Sequence, residues 1–186
     1  MSLFQFHTVE SAPEGSRSLL AEGQKRMGFV PNLYAGLAES PAALEAYFAL
    51  SAILAKTQLT PAEQQVVMLN ASVENGCHYC VAAHSMLAKN VAKVDPDTLC
   101  ALREQQPIAD PRLRALADFT RLVVEQRGWV DEQAVQAFLD AGFSRANVLD
   151  VVMGVTMKTL SNYANHVMQT PVDAAFADER WEAVQK

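Results

Sequence analysis

Apolar residues recur along this chain at spacings of three and four, and the repeats begin where a proline follows an N-capping side chain. Ser40-Pro41, Thr60-Pro61, Asp95-Pro96 and Asp110-Pro111 each set a capping oxygen before a proline. The missing N–H of that proline costs nothing in the first turn of a helix. Thr60 with Glu63 also completes the Thr-x-x-Glu capping box. Leu44, Tyr47, Phe48, Ser51 and Leu54 follow Pro41; Leu113, Leu116, Phe119, Thr120 and Val123 follow Pro111. Each set covers one face of a helix. A last long helix is predicted from Ser144 to about Gln169, ahead of Thr170-Pro171. There is no period-two run and no Asn-Gly turn between alternating segments, so no strand is predicted. The predicted fold class is all-α.

Asn75-Gly76 interrupts two of these helical patterns. A left-handed residue here ends one helix and lets the next begin at Cys77, with its thiol near the positive end of the macrodipole. No linker-like or low-complexity segment divides the chain, and residues 1–186 read as one domain.

Composition narrows the function classes. Of 186 residues, 50% are hydrophobic and 19% charged, enough apolar content for a packed core and too much for disorder. A net charge of −6, without a Lys/Arg run, argues against a nucleic-acid surface. No stretch is apolar enough to span a membrane, and Met1 to Glu10 lacks a basic segment followed by an apolar one. Three cysteines are too few to staple a secreted domain. A cytoplasmic protein is expected, with neither nucleic acid nor membrane as partner. Cys100 is read as an ordinary core cysteine.

The chemistry concentrates in Cys77-His78-Tyr79-Cys80, with His84 four residues beyond Cys80. On a helix Cys77 and Cys80 lie about 60° apart, and His84 within about 40° of either. Two thiols one turn apart can cycle between dithiol and disulfide, and an imidazole on that face can take a proton. A free thiol is only about 3% ionised at pH 7; lowering its pKa to roughly 6.5 makes about three quarters of it thiolate. Cys80, with His84 at the better helical spacing, is the expected attacking thiolate, and Cys77 the resolving thiol. The product would be a sulfenic acid on Cys80, condensed by Cys77 into a disulfide. A zinc site lacks an evident fourth ligand. Covalent haem attachment would need His where Val81 stands, and a thioredoxin motif would need a βαβ setting.

These residues resemble the alkylhydroperoxidase D-like branch of the carboxymuconolactone decarboxylase superfamily. The similarity takes in Gly28-Phe29-Val30-Pro31-Asn32, Leu59-Thr60-Pro61, Asn75-Gly76-Cys77-His78-Tyr79-Cys80-Val81-Ala82-Ala83-His84, and Asn162-Tyr163-Ala164-Asn165-His166 with Thr170-Pro171. The resemblance implies an all-helical bundle, a homo-oligomer, and hydroperoxide reduction through a redox-active Cys77–Cys80 disulfide, with no other cofactor and no metal. A dithiol, thioredoxin-like or lipoyl partner would be the reductant.

Two positions depart from that pattern. Where the family carries a relay Glu, this chain has Gln65, and where it carries a His just before the second Cys, this chain has Tyr79, with His78 one step earlier. If the two helices flanking Asn75-Gly76 pair as a hairpin, Gln65 lies roughly 16 Å and His84 roughly 13 Å from the turn. They can therefore meet, and Gln65 would orient the imidazole by a hydrogen bond, although an amide cannot take up its proton. Glu63 is accounted for as a capping residue. Glu74, level with Cys77, is a candidate local base, and Asn162 with His166 a candidate pocket wall. The alternatives to a peroxidase are a decarboxylase or lactone-processing enzyme of the same superfamily, and a non-enzymatic redox-sensing oligomeric module.

Overall fold

A computed structural model describes residues 3–183 of the chain. The described residues form helices α1 (Glu14–Met27), α2 (Asn32–Leu37), α3 (Pro41–Leu54), α4 (Pro61–Glu74), α5 (His78–Asn90), α6 (Pro96–Arg103), α7 (Pro111–Glu125), α8 (Glu132–Asp140) and α9 (Arg145–Met168). A 3₁₀ turn over Ala174–Glu179 follows, and no strand occurs among them. The all-α expectation holds.

The capping chemistry read from the sequence is in place. Ser40, Thr60, Asp95 and Asp110 each accept a hydrogen bond from a first-turn N–H, with proline at the start of the helix. Thr60 and Glu63 close the capping box, and Ser144 closes another with Asn147 at the start of α9. Three helices lacked such a flag. α1 follows Pro13 and α2 follows Pro31 without a side-chain cap, while Asp131 caps α8 with no proline after it.

α4 is the central element. Val66 to Val73 are buried without interruption, as expected of a helix surrounded on all sides. It packs against α5, α7 and α9, and α9 also crosses α3 and α5. At one end of the bundle Phe138 of α8 stacks between Phe119 and Phe143, at 4.4 Å from each. There Glu63 does more than cap: its carboxylate also accepts from Arg112 Nε at 2.8 Å. The predicted break between α4 and α5 is a turn in which Gly76 takes φ 65° and Cys77 becomes the N-cap of α5. Among the described residues, no helix is long and apolar enough to cross a membrane.

Cys100 is a correction. It is exposed, not core. α6 is short and buries Thr98, Leu99 and Leu102, and the position after Leu99 turns to solvent.

The approach of α9 to α4 decides whether a site can form between them. At Gly154 an added Cβ would stand 2.8 Å from Val67 Cγ1, in the fully buried middle of α4. Gly154→Val should therefore destabilise the fold by about 2 kcal/mol, within the range for overpacked cores. Chemical denaturation measures this, and an unchanged midpoint would mean that the two helices do not approach so closely.

Candidate active site

Three helices bring the site together. α5 carries Cys80 and His84, the Gly76 turn sets Cys77 at its start, α4 presents Gln65, and α9 contributes Lys158, Ser161 and Asn165. Cys77 and Cys80 are both 1% exposed free thiols. Residues one helical turn apart have Cα atoms roughly 5–6 Å from each other, inside the span that a disulfide bridges.

The expected contact between α4 and α5 is present. His84 Nδ1 lies 2.9 Å from Gln65 Oε1, and His84 Nε2 lies 2.9 Å from Lys158 Nζ. An ammonium only donates, so Nε2 must be the acceptor and Nδ1 must carry the ring proton, donated to Gln65. Gln65 thus fixes the tautomer. Burial, and then the charge of Lys158, hold the His84 pKa well below its ordinary value, so the ring is neutral at pH 7.

Lys158 was not legible as a site residue. It is 0% exposed, and no carboxylate pairs with it among the described residues. An isolated buried ammonium would be severely destabilising, so a counter-charge must stand nearby. Cys80 supplies it. Burial by itself would push the Cys80 thiol up. The hydrogen bond from Cys77, the charge of Lys158, and hydrogen bonds from Lys158 and Ser161 outweigh burial and hold Cys80 well below the ordinary thiol range. Asn165 Nδ2 donates to Cys80 Sγ at 3.2 Å and reaches Cys77 Sγ at 3.8 Å. Cys77 moves the other way: its hydrogen bond to Cys80, its burial and the negative charge beside it push its thiol up. The pair is polarised into one thiolate and one thiol.

Tyr79 has a different use from the one its position suggested. Its hydroxyl donates to Asp173 Oδ2 at 2.6 Å and accepts from Leu33 N at 3.2 Å. The Asp173 carboxylate also accepts from Asn32 N at 3.1 Å. Tyr79 and Asp173 therefore clasp α5, the start of α2 and the segment after α9 together. The Tyr79 ring, with Met27, Tyr34, Tyr47, Leu87 and Phe176, borders a pocket of about 50 Å³ that reaches Cys80, His84 and Lys158.

Other candidates lie elsewhere. His78 is exposed, and its Nδ1 pairs with the Trp181 carbonyl at 2.8 Å. Glu74 accepts from Gln105 Nε2 at 3.1 Å and faces the cleft between α6 and α7, away from the thiols. Asn162 is buried, but it accepts from Asn75 Nδ2 at 2.9 Å beside the α4–α5 turn. His166 is exposed against Tyr163. The face of α9 that meets the thiols runs through Lys158, Ser161 and Asn165, so the expected pocket wall of Asn162 and His166 is displaced by one step around the helix. A lysine in register with Val151, Gly154, Ser161 and Asn165, at core-facing spacing, was the available signal. Among the described residues, no group of three His, Cys, Asp or Glu side chains is placed to hold a metal ion.

Residues 41–121 match the Carboxymuconolactone decarboxylase family. The fold is similar to the alkylhydroperoxidase AhpD core of a peroxidase-related protein from Ralstonia eutropha JMP134, with TM-score 0.84 and 26% identity over 94% of each chain. It is also similar to a peroxidase-related protein from Silicibacter sp. TM1040, with TM-score 0.78 and 20% identity over 94% of each chain. A cysteine-to-alanine variant of the debrominase Bmp8, in complex with 2,3,4-tribromopyrrole, aligns with TM-score 0.80 and 17% identity over 96% of each chain. No curated protein sequence matches the chain. The chain is thus similar to the Carboxymuconolactone decarboxylase family over residues 41–121 and, in fold, to an alkylhydroperoxidase AhpD core. The matched segment holds Gln65, Cys77, Cys80 and His84, while Lys158, Ser161 and Asn165 lie beyond it.

The opposed shifts predict distinct alkylation profiles. A thiol with a lowered pKa is already ionised at neutral pH, so the rate at Cys80 should level off well below pH 8.5. Cys100, raised by its hydrogen bond to Glu104 and by that carboxylate's charge, should level off above it. Peptide mapping after iodoacetamide treatment reads both; a Cys80 rate still climbing at about pH 9 would contradict the polarised pair.

Proposed function

We propose that the protein is a thiol-dependent peroxidase that reduces hydrogen peroxide or a short alkyl hydroperoxide. The observation that carries this reading is Cys80, held as a thiolate among Lys158, Ser161 and Asn165 with the Cys77 thiol beside it. The Cys80 sulfur attacks a peroxide oxygen: an S–O bond forms, the O–O bond breaks, and the alcohol departs, leaving a sulfenic acid. The Cys77 sulfur then displaces that oxygen as water and forms the Cys77–Cys80 disulfide. An external dithiol, thioredoxin-like or lipoyl, reduces the pair again. His84, with its tautomer fixed by Gln65, holds Nε2 as an acceptor toward Lys158 beside Cys80.

The pocket supports the substrate class. A water needs roughly 10–15 Å³ of such space, so about 50 Å³ holds only a few heavy atoms. Its apolar wall suits a short alkyl group better than a charged one. The peroxidase-related AhpD core of similar fold supports the same chemistry.

Cys80→Ser should abolish peroxide consumption in the presence of a dithiol reductant; undiminished turnover would sink the reading. In Cys77→Ser, a sulfenic acid trapped by dimedone should persist on Cys80. Its appearance only in Cys80→Ser would reverse the two roles.

The homo-oligomer implied by the resemblance is also proposed, with a second copy of this chain as the occupant of the outer face of α9. Leu149, Val152, Tyr163 and Val167 are exposed there, at the spacings of three and four that let two such helices interdigitate. Val167→Asp should lower the mass seen by analytical ultracentrifugation, and a monomeric parent protein would remove the proposal.

A further inference from the structure

The peroxidase reading leaves one proton unassigned. When the O–O bond breaks, an alkoxide or hydroxide leaves, and in a buried apolar pocket it must be protonated as it departs. The Cys80 sulfur has no proton to give. His84 offers none either, because its single ring proton faces Gln65 and its Nε2 accepts from Lys158. The Tyr79 hydroxyl is committed to Asp173. Tyr34 and Tyr47 border the pocket, but burial pushes both upward, away from proton release. Lys158 remains. Its ammonium stands at the floor of the pocket, against Cys80 on one side and 2.9 Å from His84 on the other.

We propose that Lys158 is the general acid of the reaction, delivering one Nζ proton to the leaving oxygen while His84 and Gln65 aim its ammonium. This rests on the peroxidase reading. The proton count then closes over the whole cycle. Cys80 thiolate, Lys158 ammonium and peroxide become Cys80 sulfenic acid, neutral Lys158 amine and alcohol. The Cys77 thiol and the sulfenic acid become the disulfide and water, with no further change at Lys158. Reduction by an external dithiol delivers two protons, one to Cys77 and one to the Lys158 amine, and restores the thiolate–ammonium pair. Gln65 fits this scheme where a carboxylate would not be needed, since the proton is stored on α9 and not on α4.

The test separates proton delivery from thiolate stabilisation by comparing two electrophiles. Iodoacetamide loses iodide and needs no proton; hydrogen peroxide does. Lys158→Met replaces the buried amine with an apolar side chain of similar length. Lys158→Arg keeps the charge on a group that does not release its proton. Single-turnover rates of Cys80 with each electrophile are measured from pH 6 to 10 in the Cys77→Ser background.

In Lys158→Met the alkylation midpoint should rise. Above that midpoint alkylation should recover to the parent rate, while peroxide reduction stays about 100-fold low. Lys158→Arg should keep the alkylation midpoint near the parent's and still lose peroxide reduction by a similar factor, which no purely electrostatic or structural role would produce. An unchanged ratio of the two rates in a folded Lys158→Arg protein would overturn the proposal. A parent protein that alkylates normally but consumes no peroxide would instead overturn the peroxidase reading on which it stands.

Discussion

A lysine ammonium buried to complete exclusion from solvent must have an anion beside it, and in this protein that anion is a cysteine sulfur. The rest of the site follows from this pairing. Thiols ordinarily ionise about two pH units below amines, so a closed pair of the two keeps its proton on nitrogen. Cys80 is then the charged sulfur and Cys77 the protonated one. The neutral state of His84 also follows, because a second positive charge against Lys158 would be repelled in the same dry space. With the imidazole neutral and Nε2 facing a donor, its proton has one place to go, and Gln65 stands there.

The fold is arranged to keep this pair dry and close. α4 is buried from Val66 to Val73, and α9 can reach it because Gly154 has no side chain between them. The Gly76 turn folds α5 back along α4, which sets Cys80 and His84 against α9. On the far side, the Tyr79–Asp173 clasp ties the segment after α9 to the start of α2 and brings Phe176 over the pocket. Arg103 adds a second tie by donating to Ser85 on α5 and to the Arg180 carbonyl. These contacts join residues distant in sequence, so the pocket wall exists only in the folded chain.

The relation to known structures follows the same division. The segment that matches the Carboxymuconolactone decarboxylase family runs through α3 to α7 and includes the Cys-x-x-Cys element, Gln65 and His84. The charge of Cys80 is set by the hydrogen bond from Cys77 within that segment, joined by Lys158 and Ser161 from α9 outside it. A local motif can therefore be shared while part of its electrostatics comes from a helix outside it. This fits the mix of peroxidase-related proteins and a debrominase among proteins of similar fold.

Local chemistry was enough to determine the helical class, four proline-marked helix starts, the Thr60–Glu63 capping box and the break at Asn75-Gly76. Each depends on residues within a few positions of one another. The meeting of Gln65 with His84 was also legible, because a hairpin about a known turn fixes which positions lie opposite. Lys158, Ser161 and Asn165 were not, since nothing in the spacing of α9 states which of its faces meets α5. The outward turn of Cys100 and His166 and the inward commitment of Asn162 and Tyr79 escaped for the same reason: helical periodicity defines faces but not what each face packs against. Only the tertiary structure placed an ammonium beside Cys80, and that placement joins the hydrogen bond from Cys77 in holding Cys80 as the charged sulfur.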